Sequence, residues 1–165
     1  NTNFIFQKKI IFPKIDGRGA VYKSKINNIN IQLIDQSYNA NPETMTQSIR
    51  NFSKIKNKRF QKILILGEMN ELGLDALKFH SLIVKEITKH MFDNVILSGD
   101  LFKKALKLFP NFKNKFIYKS SSKSIMTYLV KNLHKKAMIM TKCSNATEVN
   151  KFATLLKSKK KDKIV

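Results

Sequence analysis

Within seven positions the chain places Asp35, Gln36, Ser37, Tyr38, Asn39 and Asn41, and Pro42 follows at once. Amides, hydroxyls and a phenol both donate and accept hydrogen bonds. Such a cluster suits a ligand with mixed donors and acceptors: a ribose, a base edge or a peptide. Asn41 by itself reads as a helix cap, worth about 1 kcal/mol. Pro42 then takes the first helical position, and Glu43 complements the positive end of the helix. Capping does not account for Asp35, Tyr38 and Asn39.

Other groups with chemical potential are sparser. Glu68, Glu71 and Asp75 lie near one turn. They suit a cation or an ammonium group, or equally the N-terminal dipole of the next helix. His80, His90 and His134 share no metal-ligand spacing with one another or with Cys143, so packing or surface roles are expected and no metal site. The sequence contains no G-x-x-x-x-G-K-[ST] phosphate loop, no G-x-G-x-x-G fingerprint and no G-x-S-x-G elbow. A complete catalytic set is missing from this stretch of chain.

The elements that must position these groups alternate. The stretches 29–35, 62–66, 94–99, 115–118 and 137–141 read as strands, most of them continuous apolar runs of the buried parallel type. Helices are expected from Pro42 to about Ile55 and from about Leu74 to His90. Three more are expected after Asp100, after Ser121 or Ser122, and after Ser144, each of these residues a candidate cap. Residues 1–16 read as extended segments interrupted by Pro13, Asp16–Gly19 as a flexible turn, and the end as a solvated basic tail. Five strands alternating with five helices predict an α/β fold: Rossmann-like, doubly wound, a mostly parallel sheet with helices on both faces. Ligands in such sheets sit beyond the carboxyl ends of the strands. The polar turns after the first, second, third and last strands all fall there.

Composition narrows the class. A chain of 165 residues with 42% hydrophobic content supports one core. No apolar stretch reaches the ~20 residues of a membrane span, and no signal-peptide pattern opens the chain. The lone cysteine favours a reducing compartment. The net charge of +21 raises the question of nucleic acid. Yet nearly all of it is scattered lysine; Arg18, Arg50 and Arg59 are the only arginines. Together with abundant asparagine and isoleucine, this is what AT-rich codons supply, so nucleic acid is not the expected partner.

The strings "SYNANPETM" and "ILGEMNELG", with His80 seven residues after Gly73, closely resemble the Mur ligases. The likeness is to the branch that joins D-alanyl-D-alanine to UDP-N-acetylmuramoyl-tripeptide. "GRG" at Gly17–Gly19 resembles that family's linker between central and C-terminal domains, and "TKCSN" its late Lys-Gly-Ser turn. The resemblance implies residues 1–19 as the end of the central domain and linker, 20–157 as the C-terminal domain, and 158–165 as a basic tail. It implies an ATP-dependent ligase of peptidoglycan synthesis, hence of cell shape and division, working in the cytoplasm as a monomer. The phosphate loop, the catalytic residues and the Mg2+ would belong to a central domain outside this stretch, so the piece alone is expected to be inactive.

Carried over by motif, Arg18, Asp35, Gln36, Tyr38, Asn39 and Asn41 would serve ATP. Gln36 stands where relatives carry the acid that grips the ribose. Asn39, Lys142, Ser144 and Asn145 would face the dipeptide, and Gly67, Glu71, Gly73 and His80 would shape the cleft. Four departures bear on activity. Gln36 lacks the acid's charge, and Glu68 replaces Asp. Asn145 stands for an arginine common in relatives. Cys143 replaces a glycine and would be strained by roughly 1–2 kcal/mol if that turn needs a positive φ. The alternatives are an inactive remnant of a split or truncated gene and a basic nucleic-acid-binding module. The ligase reading requires Arg18, Tyr38, Asn39 and Lys142 to border one hollow.

Overall fold

The structure is a computed structural model that describes residues 17–158. The readings of 1–16 and of the tail 159–165 lie outside the described residues. Six strands form one sheet: β1 (Ala20–Ile26), β2 (Ile29–Gln36), β3 (Gln61–Leu66), β4 (Asn94–Leu97), β5 (Ile117–Tyr118) and β6 (Ala137–Lys142). Their order is β1-β2-β6-β3-β4-β5, all parallel except β1. The helices are α1 (Pro42–Lys54), α2 (Ala76–Thr88), α3 (Asp100–Leu106), α4 (Ser122–Asn132) and α5 (Glu148–Ser158).

The topology follows from the handedness of parallel crossovers. The chain steps from β2 through β3 and β4 to β5 in one direction, then returns to place β6 between β2 and β3. Right-handed crossovers put forward steps on one face and the return step on the other. Accordingly Met45, Ile49 and Phe52 of α1 share a core with Ile83, Val84 and Ile87 of α2 and Phe102 of α3. Ile125 and Leu129 of α4 share the opposite core with Val149, Phe152 and Leu156 of α5. Burial of each such side chain stabilises by about 1.5–3 kcal/mol. All six residues of β6 are buried because both its faces are covered.

One strand escaped the sequence reading. β1 pairs antiparallel with β2 through a tight turn in which Asn27 and Asn28 both adopt positive φ, 46° and 63°. Asparagine tolerates that region, and such hairpins need it. β1 alternates buried and exposed positions, as an edge strand covered on one face does. Several boundaries also moved. The third and last helices begin and end elsewhere than expected: α3 stops at Leu106, and α5 starts only at Glu148 and takes in Ser158. Asp100 does not cap α3: Gly99 holds the cap position without a side chain, and Glu68 accepts from Leu101 N–H at 2.6 Å instead. Ser144 does not cap α5: Thr147 Oγ1 accepts from Asn150 N–H at 3.4 Å. Ser121 does cap α4, in a reciprocal box with Ser124.

A hollow at the carboxyl end of the sheet and its family

α5 covers the β1–β2 edge on its own face: Ser24 Oγ donates to Leu156 C=O at 2.8 Å, and Lys157 pairs with Asp35 at 2.7 Å. On the other face α1 packs toward α2 and β6 and leaves the β1–β2 edge uncovered. The result is a hollow of about 800 Å³. Its floor is Ile34, Met138 and Met140; its apolar end holds Val21, Phe52 and Ile55. Its polar end holds Arg18, Gln36, Tyr38, Asn39, Asn41 and Lys142. Among the described residues two cations and no carboxylate line it.

The polar end is held by hydrogen bonds that leave groups over. Asn41 caps α1: its Oδ1 accepts from Thr44 N–H at 2.8 Å, and Thr44 Oγ1 accepts from Asn41 N–H at 3.3 Å. Asn39 Oδ1 accepts from Ala40 N–H at 2.8 Å. Both asparagines spend a carbonyl on the backbone and keep an NH2 to offer. The Arg18 guanidinium lies 4.8 Å from the Tyr38 ring centroid, a cation–π contact. Gly17 is fixed beneath it, since Tyr38 N–H donates to Gly17 C=O at 3.2 Å. Gly17 has φ +71°, and a Cβ there would lie 2.8 Å from Tyr38 Cβ. Lys142 is buried and donates from Nζ to Asn39 C=O at 3.1 Å. Burial pushes its ammonium pKa down.

The pleat separates Asp35 from Gln36. Gln36 faces the hollow, but Asp35 points to the α5 face, fully buried. There its carboxylate accepts from Ser37 N–H (3.0 Å), Ser37 Oγ (2.6 Å), Thr141 Oγ1 (3.3 Å) and Lys157 Nζ (2.7 Å). It braces the turn from behind and does not line the hollow.

Ser144 and Asn145 also lie off the hollow. Ser144 is buried; its Oγ accepts from Asn70 N–H at 2.9 Å, and its N–H donates to Glu68 C=O at 2.9 Å. Asn145 is exposed and bonds Ala146 N–H at 2.9 Å. Cys143 is not a positive-φ residue; Ala146, at φ 60°, takes the left-handed place in that turn. The expected strain at Cys143 is therefore absent. Its side chain fills the space beside Gly67, where a Cβ would come within 2.7 Å of Cys143 Cβ. Burial pushes the thiol up to about 12.

The second polar turn is closed on itself. His80 is fully buried: Nδ1 donates to Ala76 C=O at 2.7 Å, and Nε2 accepts from Met69 N–H at 3.1 Å. That pattern needs the neutral ring, and burial lowers its pKa accordingly. Phe102 meets its edge at 4.7 Å between centroids. Glu71 and Gly73 are exposed turn residues with φ 62° and 56°. No cluster of three or more His, Cys, Asp or Glu side chains able to hold a metal occurs among the described residues. Nor is any described helix long and apolar enough to cross a membrane.

Sequence reasoning missed the wall that α1 supplies. Thr44, Gln47, Ser48 and Asn51 line the hollow at helical spacing. This polar stripe beside the apolar stripe of Met45, Ile49 and Phe52 was the available signal.

Comparison with known proteins agrees with this arrangement. Residues 17–145 match the family described as Mur ligase, glutamate ligase domain. The UDP-N-acetylmuramoyl-tripeptide–D-alanyl-D-alanine ligase of Buchnera aphidicola is 29% identical over 130 residues, 78% of this chain and 28% of the relative. The ligase of the same name from Rickettsia prowazekii is 27% identical over 136 residues, 82% of this chain and 29% of the relative. The chain thus spans less than a third of the length of these relatives. Among solved structures it resembles the MurF ligase of Thermotoga maritima in complex with ADP, with TM-score 0.68 and 22% identity over 90% of this chain and 32% of that one. A MurF of Acinetobacter baumannii gives 0.69 and 16% over 88% and 31%. These likenesses are to the fold. With the family match covering most of its length, the chain belongs to the Mur ligase family, as its glutamate ligase domain.

Proposed function

We propose that this chain is the C-terminal domain of an ATP-dependent ligase that joins D-alanyl-D-alanine to UDP-N-acetylmuramoyl-tripeptide in peptidoglycan synthesis in the cytoplasm. The observation that carries the reading is the hollow in which Arg18, Gln36, Tyr38, Asn39, Asn41 and Lys142 meet without a carboxylate among the described residues. Such a lining favours anionic ligands, both phosphates and a peptide carboxylate. ATP, with Mg2+ held mainly by a central domain, would supply the activation of the tripeptide's carboxylate.

The roles of this chain's residues are positional. Arg18, carried on a segment pinned by Gly17 and Tyr38, reaches toward phosphate. Tyr38, Asn39 and Asn41 border the nucleotide and dipeptide side. Lys142 faces the dipeptide carboxylate, and its burial strengthens the pairing because less water competes. Ser144 and Asp35 support the turns from within; Asn145, exposed beside the last turn, has reach toward a ligand only at the margin. Gly67, Glu71, Gly73 and His80 shape the neighbouring turn. Holding amine and activated carboxyl together removes entropy from the barrier, and closure onto the central domain keeps water out.

The test is a chimera in which residues 17–158 replace the equivalent domain of the Thermotoga maritima ligase. Phosphate release should require both D-alanyl-D-alanine and the nucleotide tripeptide. Lys142→Ala should raise the dipeptide KM about tenfold or more, the loss of one charged hydrogen bond. Turnover indifferent to Lys142→Ala and Arg18→Ala, or none from a folded chimera, contradicts the proposal.

A further inference from the structure

Ser48 sits on α1 with its hydroxyl buried against two oxygens at once. Its Oγ lies 2.7 Å from Thr44 C=O and 2.5 Å from the atom of the Gln36 side-chain amide placed as oxygen. A serine hydroxyl has one proton to give. With the amide so placed, one of these two short contacts would bring oxygen lone pairs face to face. The Thr44 carbonyl has no proton to offer, so the Ser48 proton belongs on that contact. The other contact must then be closed by an N–H. Amide oxygen and nitrogen are interchangeable by rotation. Turning the Gln36 amide supplies the N–H, and lengthening by a few tenths of an ångström brings the contact into the ordinary N–H···O range.

We propose that Ser48 is a positioning residue that fixes the polarity of Gln36: Nε2 donates to Ser48 Oγ, and Oε1 faces the hollow as an acceptor. The neighbours make this consequential. Asn39 and Asn41 have their carbonyls committed to Ala40 and Thr44, and Arg18 and Lys142 only donate. Gln36 then presents an uncharged acceptor beside a donor-rich rim. The ligand it fits carries an anionic group for the cations and a hydroxyl for Gln36, as a phosphorylated sugar does. This choice of hydroxyl donor rests on the nucleotide reading; the orientation of Gln36 does not.

Neutron diffraction from crystals of the chain grown in heavy water tests the orientation without a variant. The expected map has a deuteron on Ser48 Oγ directed at Thr44 C=O and an Nε2 deuteron directed at Ser48. A deuteron on Oγ directed at Gln36, with the ND2 group facing the hollow, overturns the proposal. Calorimetry with adenosine diphosphate and its analogue lacking both ribose hydroxyls tests the consequence. The chain should favour the hydroxylated nucleotide by about tenfold. Ser48→Ala should bring that ratio close to one while leaving the analogue's affinity unchanged, and Ser48→Thr should restore it. A ratio unmoved by Ser48→Ala overturns the positioning role. Equal binding of the two nucleotides by a chain with the expected deuterons overturns the nucleotide reading and leaves the orientation standing.

Discussion

The turn after β2 and the turn after β3 stand close together at the same end of one sheet, and both are rich in polar side chains. They use them in opposite ways. After β3, His80 commits both ring nitrogens to backbone groups, and Glu68 holds Leu101 N–H. Ser144 ties Asn70 to the end of β6. Nothing in these bonds is left pointing outward. After β2, Asn39 and Asn41 spend one side of each amide and keep the other, while Arg18 and Lys142 border open space. Polar residues of similar type therefore build a brace in one place and a receptive surface in the other. What separates them is how many donors and acceptors the protein's own backbone consumes.

Three changes put the contrast under strain. The largest effect is expected from His80→Ala. It strands Met69 N–H in the core and empties the space against Phe102. A loss of about 3 kcal/mol is expected in urea unfolding. If the domain stays folded, its ligand affinity should hold. A collapse of affinity with stability intact would show that the second turn is receptive after all. Asn41→Ala should cost about 1 kcal/mol, the worth of an N-cap, and also weaken ligand binding, because the same residue caps α1 and borders the hollow. A stability loss with binding untouched would reduce Asn41 to a cap.

The smallest effect is a pH slope. His80 has a lowered pKa when folded and the ordinary 6.5 when unfolded. The unfolded chain then binds the extra proton first, so stability is full above about 6.5 and falls as pH drops below it. Glu86 adds a second slope at lower pH. Its carboxylate is held down to about 2 by Arg50 and then Lys89. That stability is present above the ordinary 4.5 and is lost as pH falls toward 2. Denaturant melts from pH 8 to 3 should show both slopes, and His80→Gln should remove the first.

Much of this was legible in the sequence. The apolar runs that became β3 and β6 announce burial on both faces, and the Asn41–Pro42–Glu43 start of α1 announces its own cap. The strand–helix alternation places the polar turns at the carboxyl end of the sheet, and they lie there. β1 does not stand out, because Val21 faces outward and Ser24 inward, which blurs the apolar alternation, and its asparagine turn lacks the usual glycine. The sides of β2 were not separated either. Asp35 and Gln36 read as one cluster, and the pleat sets them on opposite faces of the sheet, Gln36 toward the hollow and Asp35 toward α5. The hollow's far wall depended on where α1 leans, a property of packing against α2 that no local motif carries.

The most direct measurement is a nitrogen–proton NMR titration of this chain with adenosine diphosphate and then with D-alanyl-D-alanine. The account predicts that shifted amides gather at Gly17–Gly19, Gln36–Asn41 and Lys142, with the Gly73–His80 turn quiet. Shifts centred on Gly73–His80, or spread across the surface lysines without the hollow, would contradict it.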